Sequence, residues 1–426
     1  MKKKVLVRAP ILTRSGYGEH GRFVVRALRQ AEETLDIYII PTPWGKCGWI
    51  YEDDEERQWI DTMIKKTALY QNQTQGKPNY DISVQVTIPN EWENLAPVNI
   101  GVTAGIETNK VAPLWIEKAN HMDKIITISN HSKQTFLDTV YDAVNNQTGQ
   151  KVQLRCVKDI EVVHYPVKQF DDVDLKLKLD TDFNFLTVAQ WGPRKNLENT
   201  IKWFIEEFID IPEVGLVVKT FQGGNSILDR HYTTKLFNNL LSKYKERKCK
   251  VYLLHGDMSD KEMHSLYKHP KIKALVSLTH GEGFGLPLFE AAYSGLPVMA
   301  PEWSGHIDFL FAPKKNKKAG NEKMKAHFAK IDYDVGPVPD HAVWENVIEK
   351  GSMWCYPQQG SYKMRLREVY KEHGRFKKQA KDLQKWIHKN FTKEQQYKKF
   401  KDTLEEYVND SENWLNEIED IIKKYE

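Results

Sequence analysis

Residues 281–290, GEGFGLPLFE, constrain this 426-residue chain more than any other stretch. A strand-like run, KALVSLT (273–279), leads into it, and a helix-like run, LPLFEAAYSG, leads out. Pro287 suits a first helical turn, Gly295 a helix stop, and LPVMAP the next strand. Strand, loop, helix and strand in succession are the unit of a parallel α/β sheet. Glu282 is then expected on a loop at a strand's C-terminal end. Glu290 is expected a turn into the helix, on the face that looks back at the loop. Gly283 and Gly285 between them let backbone N–H groups and the helix's positive end approach an anion. An anion flanked by two hydroxyl-seeking carboxylates describes a sugar nucleotide, a diphosphate between a ribose and a transferable sugar.

The same strand and helix alternation runs along the chain. KKVLVRAP reads as a first strand, ILTRSGYG as a loop, and EHGRFVVRALRQ as a helix with Phe23, Val24 and Leu28 on its apolar side. That glycine-bearing turn suits close approach of a phosphate or sugar. Further strands are expected at residues 35–41, 80–87, 98–105 and 124–129, with Ser129 or Asn130 capping the next helix. A charged stretch without helical period, 171–182, reads as a linker. A second series of strands is expected at 183–190, 215–221, 250–256, 274–279 and 296–301. From Ser361 onwards the pattern is helical and highly charged.

The stretch 281–290 resembles the E-x7-E signature of retaining glycosyltransferases of the GT-B fold, glycosyltransferase family four above all. The EA that opens at Glu290, the GLPV that follows, and the small-residue loop at Trp303, Ser304 and Gly305 match as well. The resemblance implies an α/β protein of two Rossmann-like domains facing across a cleft, with a C-terminal helix crossing back to the first domain. On that reading residues 1–172 form the acceptor-side domain, 173–391 the sugar-nucleotide domain, and 392–426 pack back on the first.

Roles follow from the resemblance residue by residue. Glu290 would bind ribose hydroxyls, and Glu282 hydroxyls of the transferred sugar. Backbone amides of Gly283, Phe284, Gly285 and Leu286 would hold sugar and diphosphate. The turn at Gly16, Tyr17 and Gly18 matches the family's glycine-rich loop. In AQWGPRKNLENTIKWF, Lys195 falls on the family's diphosphate-binding lysine, and Asn196 is expected to cap the helix. The glycine–arginine pair usual a few residues earlier is replaced by Ala189 and Gln190, so Arg194 is the candidate for the second cation. Fixed cations and N–H dipoles at this place would stabilise a leaving nucleoside diphosphate without a metal. The family's first-domain histidine is missing; the matching stretch reads GIETNK, so Glu107 or Thr108 takes its place or the role moves elsewhere. No carboxylate can be assigned beneath the anomeric carbon for a covalent intermediate. The resemblance therefore implies same-face attack, with the donor phosphate taking the acceptor's proton. His255 in HGDM reads as a packed strand residue.

Metal and cofactor are not expected; the nucleotide-sugar, UDP- or GDP-linked, is a co-substrate. The DxD matches (Asp172 with Asp174, Asp180 with Asp182, Asp332 with Asp334) read as solvated acids, none following a strand in the way a metal-binding DxD needs. The four scattered cysteines, Cys47, Cys156, Cys249 and Cys355, lack metal-ligand spacing and read as reduced thiols. The basic opening MKKKVLVRAPIL is broken by Arg8 and Pro10 and reads as a strand, not a signal peptide. No apolar run approaches the ~20 residues of a membrane span. A cytoplasmic enzyme is expected, in the host cytoplasm if phage-encoded.

The acceptor is open. A glycan or lipid hydroxyl is the family's default. The run RSGYGEHGRFVVRAL also resembles glycosyltransferases carried by large-tailed bacteriophages, some of which act on hydroxymethylated bases in DNA. Three basic blocks bear on that alternative: Lys314, Lys315, Lys317 and Lys318; residues 243–250; and residues 375–385. They also read as solvated faces. Trp44, Trp49, Tyr51 and Trp59 lie in an expected loop, where aromatics either stack on sugars and bases or fill the core. A catalytically silent GT-B nucleotide binder is the non-enzyme alternative.

Overall fold

The computed structural model describes residues 2–144, 149–315 and 322–408. Two six-stranded sheets dominate it, each parallel throughout. The first has the order Leu35–Pro41, Lys3–Ala9, Ile82–Val86, Val98–Thr103, Lys124–Thr127, Ile160–Val162. The second has the order Lys250–Leu254, Val214–Phe221, Phe183–Gln190, Ile272–Val276, Val298–Pro301, Ala329–Ile331. Central strands such as ISVQV and VGLVVKTF are buried along nearly their whole length, as parallel strands covered on both faces must be. The short edge strands at 160–162 and 329–331 carry too few residues to show a period, and the sequence reading missed both.

The chain passes between the sheets twice. The first passage, residues 163–182, has no regular secondary structure and begins eight residues before the expected linker. The second follows the helix His373–Asn390, where the backbone N–H of Val167 donates to the carbonyl of Phe391 at 2.8 Å. Thr392 and Gln395 then form a capping box that starts the helix Lys393–Asp402. That helix lies against Gly16–Arg29 of the first half, with Phe23 packed on Phe400 and Tyr397 at 5.8 and 5.6 Å between ring centroids. The crossing back expected from residue 392 is seen as far as Val408; residues 409–426 lie outside the described residues.

Three antiparallel hairpins were not read from the sequence: Val140–Val144 with Lys151–Arg155, Phe311–Lys315 with Glu322–Ala326, and Tyr333–Pro337 with Met353–Pro357. The last braces the site from behind. The N–H of Cys355 donates to the carbonyl of His280 at 3.1 Å, and His280 Nδ1 pairs with the carbonyl of Cys355 at 2.7 Å.

Candidate active site

Both sheets point the C-terminal ends of their strands at one cleft of about 950 Å³. In the second half, the loop after Phe183–Gln190 and the loop after Ile272–Val276 flank the place where the strand order reverses, which is where parallel sheets open a crevice. Pro193–Lys195 form a single tight turn, and Asn196 is left-handed at φ 52°. Asn196 stands at the helix start without capping it. Its Nδ2 donates to the carbonyl of Leu278 at 3.2 Å, tying the two loops together, and so the expected cap is corrected.

Four charged side chains meet there. Lys195 Nζ lies 2.5 Å from Glu282 Oε1, and Arg194 NH1 3.2 Å from Glu282 Oε2. Arg194 also donates to the carbonyl of Gly281 at 2.6 Å and reaches Glu107 of the first half at 3.2 Å. Glu282 is buried; burial alone would raise its pKa, but the Lys195 and Arg194 charges overcome this and hold it at about 2. Lys195 is drawn below the ordinary lysine range by its own burial and by Arg194 beside it, with Glu282 pulling the other way. The Glu282 backbone is fixed as firmly: its N–H donates to Ser304 Oγ at 2.8 Å, and its carbonyl accepts from Gly305 N at 2.9 Å. Ser304 and His280 position the motif without belonging to it. The small-residue loop at 303–305 was the available signal for Ser304; His280 had none.

Glycine is required where the halves meet. A Cβ on Gly283 would lie 2.0 Å from the carbonyl oxygen of Ala104, and one on Gly305 1.9 Å from that of Gly283. Gly285, at φ +91°, turns the chain into the helix Leu286–Tyr293, whose first turn carries Pro287. Phe284 is buried among Phe289, Phe309 and Tyr165, which leaves its backbone to the cleft. Glu290 faces the same cleft from that helix and accepts from Tyr267 OH at 2.9 Å. Burial pushes its carboxyl up to about 7, with Lys168 opposing the rise. Near neutral pH Glu282 is therefore ionised, while Glu290 is balanced between its two proton states.

The first half brings a different surface. Gly16, Tyr17 and Gly18 form the first turn of the helix Gly16–Arg29, not the loop before it. Ser15 caps that helix, its Oγ accepting from Gly18 N at 2.9 Å, and a hydroxyl cap of this kind starts a helix earlier than the apolar pattern alone suggests. A Cβ on Gly18 would lie 2.1 Å from the carbonyl oxygen of Thr13, whereas Gly16 has open space beside it. Tyr17 OH pairs with Thr103 Oγ1 at 2.8 Å, and its ring lies 4.1 Å from that of Trp44 in the cleft wall. Of the two first-half candidates, Glu107 lines the cleft, while Thr108 is buried and donates to the carbonyl of Lys110 at 2.8 Å.

The remaining sequence candidates lie elsewhere. Trp49 and Tyr51 are exposed, and Trp59 belongs to the helix Glu55–Gln73, not to a loop. His255 is buried against Asp229 at 2.8 Å. The six DxD acids are exposed and none lines the cleft; Asp332 directly follows the edge strand Ala329–Ile331 but lies away from the site. Among the described residues no group of acids, histidines and cysteines could hold a metal ion, and no helix is long and apolar enough to cross a membrane. The block 243–250 runs up to the first residue of the strand Lys250–Leu254, at the sheet edge opposite the cleft, and Lys317 and Lys318 lie outside the described residues.

Residues 170–330, within the second half, match the family model described as glycosyl transferases group 1. No curated protein matches the chain. Among solved structures, sucrose-phosphate synthase from Thermosynechococcus elongatus aligns over 98% of this chain and 99% of its own, at 12% identity and a TM-score of 0.57. A trehalose-6-phosphate synthase from E. coli, bound with UDP-2-fluoro glucose, aligns over 95% and 99% at 9% identity and a TM-score of 0.55. HepE from Anabaena, in complex with UDP and glucose, aligns over 95% and 99% at 12% identity and a TM-score of 0.54. At such identities the likeness shows the fold: two parallel-sheet Rossmann-like halves in the GT-B arrangement.

Proposed function

We propose that the protein is a metal-independent, retaining glycosyltransferase that moves a sugar from a UDP- or GDP-sugar to an acceptor hydroxyl of a glycan or lipid. One observation carries the reading: Lys195 and Arg194 converge on buried Glu282 at the second sheet's switch point, with Glu290 on the helix that follows. That arrangement offers fixed positive charge to a diphosphate and carboxylates to the hydroxyls on either side of it. Glu107 closes the cluster from the acceptor side. The group 1 match and the UDP-bound fold relatives support a nucleotide-sugar donor.

In the proposed reaction the anomeric C–O bond to the diphosphate breaks as the acceptor oxygen bonds the same face of the anomeric carbon. The acceptor proton passes to the departing phosphate oxygen. Lys195 stabilises the charge that develops there, and Glu282 orients the sugar. The sheet-edge block 243–250 faces away from the cleft, which favours a glycan or lipid over a DNA acceptor. The domain limits 1–172, 173–391 and 392–426, and a cytoplasmic setting, belong to the same proposal.

The test is a thermal-shift and turnover panel of UDP- and GDP-sugars, with mass analysis of glycan, lipid and hydroxymethylated DNA acceptors. Stabilisation by a donor with its slow cleavage to a nucleoside diphosphate supports the reading. Binding without cleavage of any donor would make the protein a silent binder, and no binding at all would sink the proposal. Mass added to DNA alone would move the acceptor assignment.

A further inference from the structure

The cations of the cleft wall are mostly spoken for. Arg14 pairs with Glu52, Arg57 with Asp61, and Arg22, Arg26 and Lys168 with Glu19. Arg194 and Lys195 share Glu282 and Glu107, so these four side chains sum to no net charge. A nucleoside diphosphate brings two or more negative charges to that neutral cluster. Gln190, where the resemblance expects an arginine, is neutral, and its Nε2 is held by the carbonyl of Gln222 at 2.7 Å.

Lys219 stands apart. It is on the strand Val214–Phe221, in register with Val188 on the strand that leads to Arg194 and Lys195. It lines the cleft and is 7% exposed. Its Nζ donates to the carbonyl of Gly256 at 2.6 Å. An ammonium has three donors, so two remain for the space it lines. Among the described residues it is the buried cation of this wall with no carboxylate at ion-pair distance; Lys261 and Lys393, also unpaired with acids, are exposed. Asp257, whose charge reaches Lys219, is held instead by Asn225 Nδ2 at 2.7 Å. Burial holds the Lys219 ammonium below the ordinary lysine range, so an arriving anion would relieve an uncompensated charge.

We propose that Lys219 is a further diphosphate-binding cation of the cleft, beside Lys195 and Arg194, supplying the charge that Gln190 does not. The assignment rests on the nucleotide-sugar reading above and adds a ligand-binding residue to it. Calorimetry on the full-length protein with UDP, GDP and the matching nucleosides tests it. Lys219→Gln removes the charge and retains a donor for Gly256. It is expected to weaken the nucleoside diphosphate by about tenfold or more, the scale of a charged hydrogen bond, and to leave the nucleoside unchanged. Lys219→Arg is expected to keep most of the affinity. Lys219→Met, uncharged and of similar length, repeats the measurement should the glutamine variant fail to fold. Undiminished diphosphate binding in the uncharged variants overturns the assignment, as does an equal loss for nucleoside and diphosphate, which would place Lys219 at the base. A wild type that binds neither UDP nor GDP refutes the nucleotide reading itself, and this inference with it.

Discussion

The two halves of this molecule share a plan and use it differently. Numbered along each half, the strands of the first sheet run 2-1-3-4-5-6 and those of the second 3-2-1-4-5-6. In both, the order reverses beside strand 1, so both open a crevice at their C-terminal edge. The second half fills its crevice with charge: Arg194, Lys195 and Glu282, locked by mutual ion pairs. The first half gives its crevice a shape instead: a capped helix start, Gly18 against Thr13, and Tyr17 tilted against Trp44. Topology decides where a site can form, and the residues at the strand ends decide what it can do.

The strongest way to break this contrast is at Glu282. Glu282→Gln should cut donor cleavage and transfer by about 10²–10³-fold, the scale of one electrostatic contact at a reacting centre. Affinity for UDP or GDP should hold or tighten, because Lys195 and Arg194 lose the carboxylate that competes with the diphosphate. Turnover at the wild-type level would remove the charge cluster from the chemistry.

Two glycine substitutions should separate charge from shape next. In Gly283→Ala the new Cβ meets the carbonyl oxygen of Ala104, at 2.0 Å, across the boundary between the halves. The cleft must open, so turnover should fall with a measurable rise in radius of gyration by X-ray scattering. In Gly18→Ala the clash is with Thr13 O at 2.1 Å, inside the first half. That change should cost about 1–3 kcal/mol in denaturant unfolding, as overpacking does, and leave the radius of gyration as it was. Equal scattering for both variants would show that the halves do not meet at Gly283.

The two glutamates of the second half offer a pH experiment. Glu282 is held at about 2 and Glu290 at about 7. For Glu282, the unfolded chain binds the proton more readily, so its contribution to stability is lost as pH falls from about 4.5 towards 2. For Glu290 the folded state binds the proton more readily, so its contribution declines as pH rises from about 4.5 to about 7. Nucleoside diphosphate affinity should increase between pH 6 and 8, values that bracket the Glu290 pKa of about 7, as that carboxyl ionises to accept from hydroxyls. Glu290→Gln should flatten the affinity slope and Glu290's own stability slope while leaving that of Glu282, and an unchanged affinity profile in that variant would show that Glu290 does not face the nucleotide.

Much of the second half was legible because its chemistry is contiguous in sequence. Strand, glycine loop and helix are consecutive from Ile272 to Tyr293, and local rules fix each step. The first half was less legible. Ser15 recruits Gly16–Gly18 into the helix through a single hydroxyl, which an apolar period cannot show. The three hairpins are built of five-residue strands, too short for a period to stand out even where they alternate, as KVQLR does throughout and EKMKA only in part. Lys219 was read as one more strand residue, because its meaning depends on which other cations are paired, and that is a property of the folded molecule.

Glu107 is where the two modes meet, and its removal should have the smallest effect. Its carboxylate is the first half's one contribution to the charge cluster among the described residues, at 3.2 Å from Arg194, with side chains 24% and 26% exposed. A partly solvated pair of this kind contributes at most about 1 kcal/mol to stability. Arg194 also keeps its bonds to Gly281 and Glu282, so Glu107→Gln should leave melting nearly unchanged. If Glu107 orients the acceptor, KM for the acceptor should rise while the donor's holds. If it serves only to close the cleft, the donor's KM should rise with it, and the radius of gyration should increase. The first outcome extends the site's charge into the half that otherwise works by shape; the second confines it to the half with the group 1 match.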